Sequence, residues 1–363
     1  MKTKTKTNLL KKVCLVALAF ISLTTMAQEE EEKWFDNFSI HGSIDGYYRY
    51  NIDASNQATG VDVDGENIFA APGTSFADKP GFALGMANLI LGYEGEKVGF
   101  VADLVYGPRG TDAVGNNSGS ESASIVNQLY VYWKVSKKVK LTFGNFNTYL
   151  GYEAISPTGN FNYSTSYMFS NGPFSHTGIR ADFTLNDKWS AMLAVMNPTD
   201  LTDFNPHDTY IIGAQLGYTV DNGSAYLNFR YGNEGAPGPS EPTFQADLTT
   251  GWDIDESFFL GFNGTYTDTD GSGFYGAALY PQYKTSEKFA LGLRGEYFNV
   301  FTDVDAIDDV DVIAVTLTGS YDVGDLTLKP ELRIDSSDDA FVNKDLETSS
   351  NLSSFVLGAI YKF

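Results

Sequence analysis

The sequence predicts an all-β protein: a transmembrane, antiparallel, up-and-down β-barrel of about 16 strands, bounded at roughly 14 and 18. Three observations carry this prediction. Apolar and polar residues alternate with a period of two, connections between the alternating stretches switch between short and long, and aromatic side chains bracket the apolar stripes. Helical periodicity competes nowhere beyond about residue 38, and no apolar run reaches the ~18–20 residues that a membrane-spanning helix needs.

Residues 1–27 have the layout of a secretory signal: Lys2, Lys4, Lys6, Lys11 and Lys12, an apolar run Val13–Ile21, then Thr25-Met26-Ala27 before Gln28. Cys14, the single cysteine, lies inside this segment, so the exported chain has no thiolate site and no disulfide framework. Residues 28–37 form an acidic leader with Glu29–Glu32. The barrel occupies 38–363. Alternation places strands near 38–50, 82–94, 97–107, 123–135, 139–149, 174–185, 188–197 and 209–220. The remaining strands fall near 223–233, 244–252, 257–266, 273–284, 288–299, 310–321, 325–335 and 352–363. In the first, Ile40, Ile44, Tyr48 and Tyr50 oppose His41, Ser43, Asp45 and Arg49; in the last, Phe355, Leu357, Ala359, Tyr361 and Phe363 share a face.

Alternation does not say which face meets water, because a soluble sandwich shows it too. The connections break the tie. Polar turns such as Gly95-Glu96, Asn186-Asp187-Lys188 and Asp221-Asn222-Gly223 intersperse with long segments near 51–81, 108–122, 150–173, 198–208, 234–243, 267–272, 300–309 and 336–351. Short turns on a periplasmic rim and long loops on an extracellular rim are the outer-membrane arrangement. The stripe Phe289, Leu291, Leu293, Gly295, Tyr297 spans eight rises of ~3.4 Å; tilted by ~40°, that is roughly 21 Å, close to the ~25 Å apolar band. Lipid offers no hydrogen-bond partner to a free sheet edge, so the strands must close. An even strand count leaves both ends on the short-turn rim. Pro281 and Pro330 sit in predicted strands without a ladder donor, which predicts a bulge or a strand end at each. Tyr361 and Phe363 form an aromatic ending of the kind that barrel-insertion machinery reads.

Several stretches resemble the OmpL-like beta-barrel porin-2 family of Gram-negative outer membranes. They are Gly42-Ser43-Ile44-Asp45-Gly46-Tyr47-Tyr48, Gly99-Phe100-Val101-Ala102-Asp103-Leu104, Leu141-Thr142-Phe143-Gly144-Asn145-Phe146, Asn160-Phe161-Asn162-Tyr163-Ser164 and Gly172-Pro173-Phe174-Ser175-His176-Thr177-Gly178. The resemblance spans most of 40–220 and implies a pore, with no substrate and no catalytic residue attached.

On that footing the expected function is passive diffusion of small hydrophilic solutes or ions through a water-filled barrel in the cell outer membrane. The alternative is a non-conducting structural or ligand-binding barrel that displays its loops. Asp45, Arg49, Arg180, Asp182, Arg230, Arg294, Glu296, Glu331 and Arg333 point inward by parity and are candidates to line the pore. They could form a charged constriction, or simply pair as Asp45–Arg49, Arg180–Asp182, Arg294–Glu296 and Glu331–Arg333. Arg109 stands apart at a strand's outer end. The 150–173 connection holds Glu153 as its only acid or base besides tyrosines; a wide barrel needs narrowing, so the connection is expected either to fold into the lumen, with Tyr152, Glu153, Phe161, Tyr163 and Tyr167 lining a constriction, or to cap the surface. Acid-rich loops (Asp62/Asp64/Glu66, Asp268/Asp270, Asp303–Asp311) lack the full ligand spacing of calcium loops and read as solvated surface. His41, His176 and His207 make no catalytic set with a nucleophile, so no enzyme, cofactor or metal is expected. A net charge of −22 argues against nucleic acid. Partners are outer-membrane lipid, the insertion machinery and small solutes; a homotrimer is compatible with the fold.

Overall fold

The computed structural model describes residues 34–61, 65, 67–114, 123–238, 240–304 and 308–363. The signal segment 1–27 and leader residues 28–33 lie outside the described residues, as do Asp62, Asp64, Glu66 and Asp305 of the acidic loops. Of the N-terminal unit, Met1–Phe38, the described part begins with a 3-10 turn at Trp34–Asn37. The second unit, Ser39–Phe363, holds the barrel.

The strands are β1 (Phe38–Asn51), a small hairpin of β2 (Gly60–Val61) and β3 (Asn67–Ile68), β4 (Gly81–Glu94), β5 (Val98–Tyr106) and β6 (Val126–Ser136). They continue as β7 (Val139–Asn147), β8 (Ser175–Thr184), β9 (Trp189–Met196), β10 (Ile211–Val220), β11 (Gly223–Asn233) and β12 (Pro242–Asp253). The last are β13 (Phe258–Thr269), β14 (Ser272–Lys284), β15 (Phe289–Phe301), β16 (Val310–Val323), β17 (Leu326–Val342) and β18 (Thr348–Lys362). Two short helices, α1 (Pro108–Val114) and α2 (Tyr167–Asn171), sit in long connections. All strands but β2 and β3 join one closed antiparallel ring of sixteen, in which β1 pairs with β18 and β4 completes the circuit. At the seam the Gly42 and Phe363 amides and carbonyls exchange hydrogen bonds of 3.0 and 3.1 Å. No described helix is long and apolar enough to cross a membrane.

The faces divide as lipid demands. Ile44, Val131, Leu193, Leu293, Val315, Leu317 and Ile334 are exposed on the outside, while Asn51, Asp103, Asn228, Thr316, Thr318 and Arg333 are buried inside. Exposed aromatics gather near both strand ends. Trp133, Trp189, Tyr283, Tyr321 and Tyr361 lie towards the short-turn rim, and Tyr50, Tyr231, Phe244, Tyr266, Tyr275 and Tyr297 towards the long-loop rim. Their rings combine an apolar body with a polar tip, which suits the boundary between hydrocarbon and water.

Three expectations need correction. The connection expected at 267–272 is a two-residue turn, with φ of 51° at Asp270 and 80° at Gly271 between β13 and β14. Positive φ at both central residues matches the twist of the flanking strands. The loop expected at 336–351 is largely strand: β17 runs to Val342 and β18 starts at Thr348, with a register shift between Ser336 and Phe341. Beyond the hydrocarbon neither face must be apolar, so pairing continues where alternation has faded. Neither proline makes a bulge or ends a strand. Pairing of β14 with β15 passes from Leu279↔Gly295 to Gln282↔Gly292 without a slip, and β16 with β17 passes from Thr318↔Glu331 to Tyr321↔Leu328 likewise. A missing N–H removes a rung but does not force a register change. Opposite this stretch, a Cβ at Gly319 would crowd the Phe289 ring, at 3.2 Å, and merely touch Pro330 Cγ, at 3.4 Å.

Side-chain polarity on the two faces should differ sharply in its effect. Leu293→Arg, outward at mid-strand, should lower unfolding stability in phospholipid vesicles by about 2–4 kcal/mol, whereas Ser224→Arg, on an inward position of β11, should lower it far less. Denaturant titration of the vesicle-folded variants measures both.

Candidate functional site

The connection 148–174 carries the chemistry of the interior. A chain segment buried away from water must have its amides and carbonyls satisfied, and this one has no sheet partner along most of its length. The inward side chains of the wall supply what is missing. Glu331 on β17 accepts the Tyr163 amide at 2.9 Å, the Ser164 amide at 3.3 Å and the Ser164 hydroxyl. Glu296 on β15 accepts the Tyr167 and Met168 amides, at 3.0 and 2.9 Å, at the start of α2. Arg294 donates to the Ser164 carbonyl at 2.7 Å, Arg333 to the Thr165 carbonyl at 2.7 Å, and Arg109 to the Tyr163 carbonyl at 3.0 Å. Lys329 reaches the carbonyls of Pro157, at 3.1 Å, and Asn160. Asn162 Nδ2 donates to Thr318 at 2.7 Å. Ser166 caps α2 by accepting the Phe169 amide, and Glu153 accepts the Ser166 amide at 2.7 Å. Charged groups make stronger hydrogen bonds than neutral ones, and in a site closed to water their desolvation has to be offset by such contacts.

This geometry revises most of the inward charges. Asp45, Arg49, Arg230, Arg294, Glu296, Glu331 and Arg333 are all buried, with exposures of 0–7%, so in this conformation they line packed protein instead of water. Of the four expected pairs, Arg180–Asp182 forms, at 2.8 Å. Arg294 instead pairs with Glu153 of the connection at 2.7 Å, and Arg333 with Asp335 at 2.8 Å. Arg49 donates to Asn51 Oδ1 and the Ala77 carbonyl, both at 3.1 Å, while Asp45 accepts the Tyr163 hydroxyl and the Met86 amide. Loop amides and carbonyls compete for these side chains with their neighbours on the same strand. Arg109 is not at a strand end but on α1, 4.0 Å from Asp45 and stacked over Phe76 and Tyr163 at 4.5 and 5.1 Å.

Among the connection's own candidates, Glu153, Tyr163 and Tyr167 are buried, and Tyr152 and Phe161 are half-buried. Lys329, Arg109 and Asn162 were missed as site residues. Parity in β17 places Lys329 on the same face as Glu331 and Arg333, so that one was within reach; Arg109 and Asn162 lie on a helix and a loop, where parity is silent.

Water reaches another part of the interior. Arg180 and Asp182 keep side-chain exposures of 25% and 26%, with Lys140 3.8 Å from Asp182. Arg180, Gln215, Ser224, Thr249, Tyr149 and Tyr152 contribute to a cavity of about 810 Å³. A second of about 410 Å³ lies towards the short-turn rim beside Phe161, Gln282 and Ser320; the two share Asp253 and Phe259. Between the connection and β12–β13, where Gly151 donates to Asp247 at 3.0 Å, the free space falls to about 10 Å³.

A second contact secures the far end of the connection. Asp200 Oδ1 accepts the amides of Phe174 and Ser175, both at 2.8 Å. Burial pushes the Asp200 carboxyl up to about 6, against those two amides and Arg230, which pull it down.

Closed sixteen-strand topology, lipid-facing oil and a polar interior together narrow the relatives. A family model described as "Putative beta-barrel porin-2, OmpL-like" matches residues 37–363. The chain belongs to that family. This porin-2 barrel is similar in fold to OprB of Pseudomonas putida, with 12% identity, a TM-score of 0.61, and 90% of this chain and 94% of that chain covered. An anion-selective porin from Comamonas acidovorans gives 13%, 0.59, 90% and 99%. OmpT of Vibrio cholerae gives 12%, 0.54, 90% and 97%. No curated protein sequence matches the porin-2 barrel.

Two outcomes follow. Glu331→Ala leaves the Tyr163 and Ser164 amides without their acceptor, at roughly 1–3 kcal/mol for each, and should expose the 148–174 connection to protease; Glu331→Gln, keeping one acceptor oxygen, should do so less. For Asp200 the folded value lies above the ordinary 3.8, so its contribution is whole below 3.8 and lost as pH rises to about 6. Unfolding stability measured between those pH values should decline in the native chain, and Asp200→Asn should flatten that part of the profile.

Proposed function

We propose that this porin-2 barrel mediates passive diffusion of small hydrophilic solutes or ions across the outer membrane, through the part of the lumen that the 148–174 connection leaves open. The observation that carries this reading is the pair of polar cavities, about 810 and 410 Å³, that border each other at Asp253 and Phe259, the smaller opening at the short-turn rim of a ring whose outer face is apolar. Water held by Arg180, Gln215 and Thr249 gives a solute a hydrated route along β8–β13, and the connection limits its width. Short turns face the periplasm, long loops face outward, residues 1–27 direct export, and Tyr361 with Phe363 engages the insertion machinery. Catalysis has no part in this reading: the histidines stand on β1, on β8 and in the 197–210 loop, with His176 fully buried.

One observation favours a second reading. The space beside Leu150, Met168 and Asp247 is only about 10 Å³, which suits a barrel that conducts nothing and displays its loops to partners. Planar-bilayer recording separates the two. Discrete steps are expected from the native chain, and a larger unit step after deletion of residues 155–166, which removes the loop segment clamped by Arg294, Lys329, Glu331 and Arg333. Electrical silence of the native chain would favour the second reading, and an unchanged step after deletion would remove the loop as the limiting element. The reversal potential in a salt gradient reads ion preference.

A further inference from the structure

Four aromatic rings of the 148–174 connection each lie over a glycine that points inward from a different strand. Tyr149 faces Gly213 on β10, Tyr152 faces Gly261 on β13, Phe161 faces Gly292 on β15, and Tyr163 faces Gly358 on β18. A Cβ at any of these glycines would come within 3.0 Å of the ring set against it, closer than real carbon atoms approach. The wall is therefore notched where a ring or ring tip of the connection seats against it.

The four notches differ in what lies on the far side of the ring. Tyr163 is buried, with its hydroxyl on Asp45, and Tyr149 is tethered by a 2.8 Å hydrogen bond to the Phe229 carbonyl. Tyr149 and Tyr152 both line the larger cavity and Phe161 the smaller, but among the described residues only Tyr149 of these three is tethered through a hydroxyl bond to the wall. Tyr152 is stacked on Tyr280 of β14 with centroids 4.2 Å apart and planes 21° apart, so its ring is held between the wall and the water. At Gly261 the crowded atoms are Oη, Cζ and Cε2, the far end of the side chain. A methyl group added there displaces the ring rather than the backbone, and the open side is the cavity.

We propose that Gly261 sets the width of the larger water-filled cavity by letting the phenol end of Tyr152 seat against the barrel wall, with Gly292 and Phe161 playing the same part at the smaller one. As a determinant of solute size this rests on the diffusion reading above; as a statement about the cavity it does not. Gly261 is thus a positioning residue for a ring that solutes pass.

The test uses the full exported chain, from which Cys14 is expected to be absent, carrying Thr249→Cys as a reporter on the inward face of β12 in the same cavity. Labelling by a charged, membrane-impermeant thiosulfonate reports access to the cavity, and single-channel recording reports conductance. Retention of heat-modifiable gel migration shows that each variant is folded. Gly261→Ala should slow labelling and reduce the unit conductance, Gly261→Val should do so more strongly, and adding Tyr152→Ala to Gly261→Ala should restore both. Labelling that is unchanged by Gly261→Ala, or slowed but not restored by Tyr152→Ala, would overturn the proposal. The same labelling pattern in a barrel that is electrically silent upholds the ring-and-notch geometry and sinks the diffusion reading alone. Unaltered labelling in a conducting barrel does the reverse.

Discussion

Hydrogen-bond satisfaction in places without water governs this molecule twice over. Outside, hydrocarbon offers nothing to a free amide or carbonyl, so sixteen strands close into a ring, down to the Gly42–Phe363 exchange at the seam. Inside, the 148–174 connection is itself removed from water, and its backbone is satisfied by the wall's side chains. Position follows from the second demand as surely as topology follows from the first. The connection lies where Glu331, Glu296, Arg294, Arg333 and Lys329 put their charges.

That division also explains what could be read from the chain. Strand number and facing were legible because lipid imposes a one-sided rule: Leu317 and Ile334 must point out and Thr316 and Arg333 in, and period two records it. Strand ends were less so. At Ser336–Asn343 and Asp268–Gly271 the chain stands clear of the apolar belt, where no rule separates the faces. The prolines misled because a lost rung was read as a lost register, whereas Pro281 and Pro330 sacrifice only local pairing.

The interior was half legible. Parity identified which charges point inward, but not what they meet, since that depends on a segment more than a hundred residues away for Glu331 and Arg333. Counting same-strand neighbours suggested mutual pairing; only Arg180–Asp182, beside the larger cavity, keeps the expected partner. The glycine notches were invisible for a related reason. Gly213, Gly261, Gly292 and Gly358 fit the small-residue pattern of any strand, and gain meaning only from the rings laid over them.

The clamps are not spread evenly around the circumference. The charged clamps converge on β1, β15 and β17, through Asp45, Arg294, Glu296, Lys329, Glu331 and Arg333, whereas the arc from β8 to β11 meets the connection through neutral contacts such as Tyr149 to the Phe229 carbonyl and borders open space at Arg180, Gln215 and Ser224. Mechanically the cylinder is a tube with a strut glued along one side. Lateral pressure from the bilayer meets a stiffer half and a more compliant half, and ovalisation of the cross-section is concentrated in the staves that no charged clamp braces.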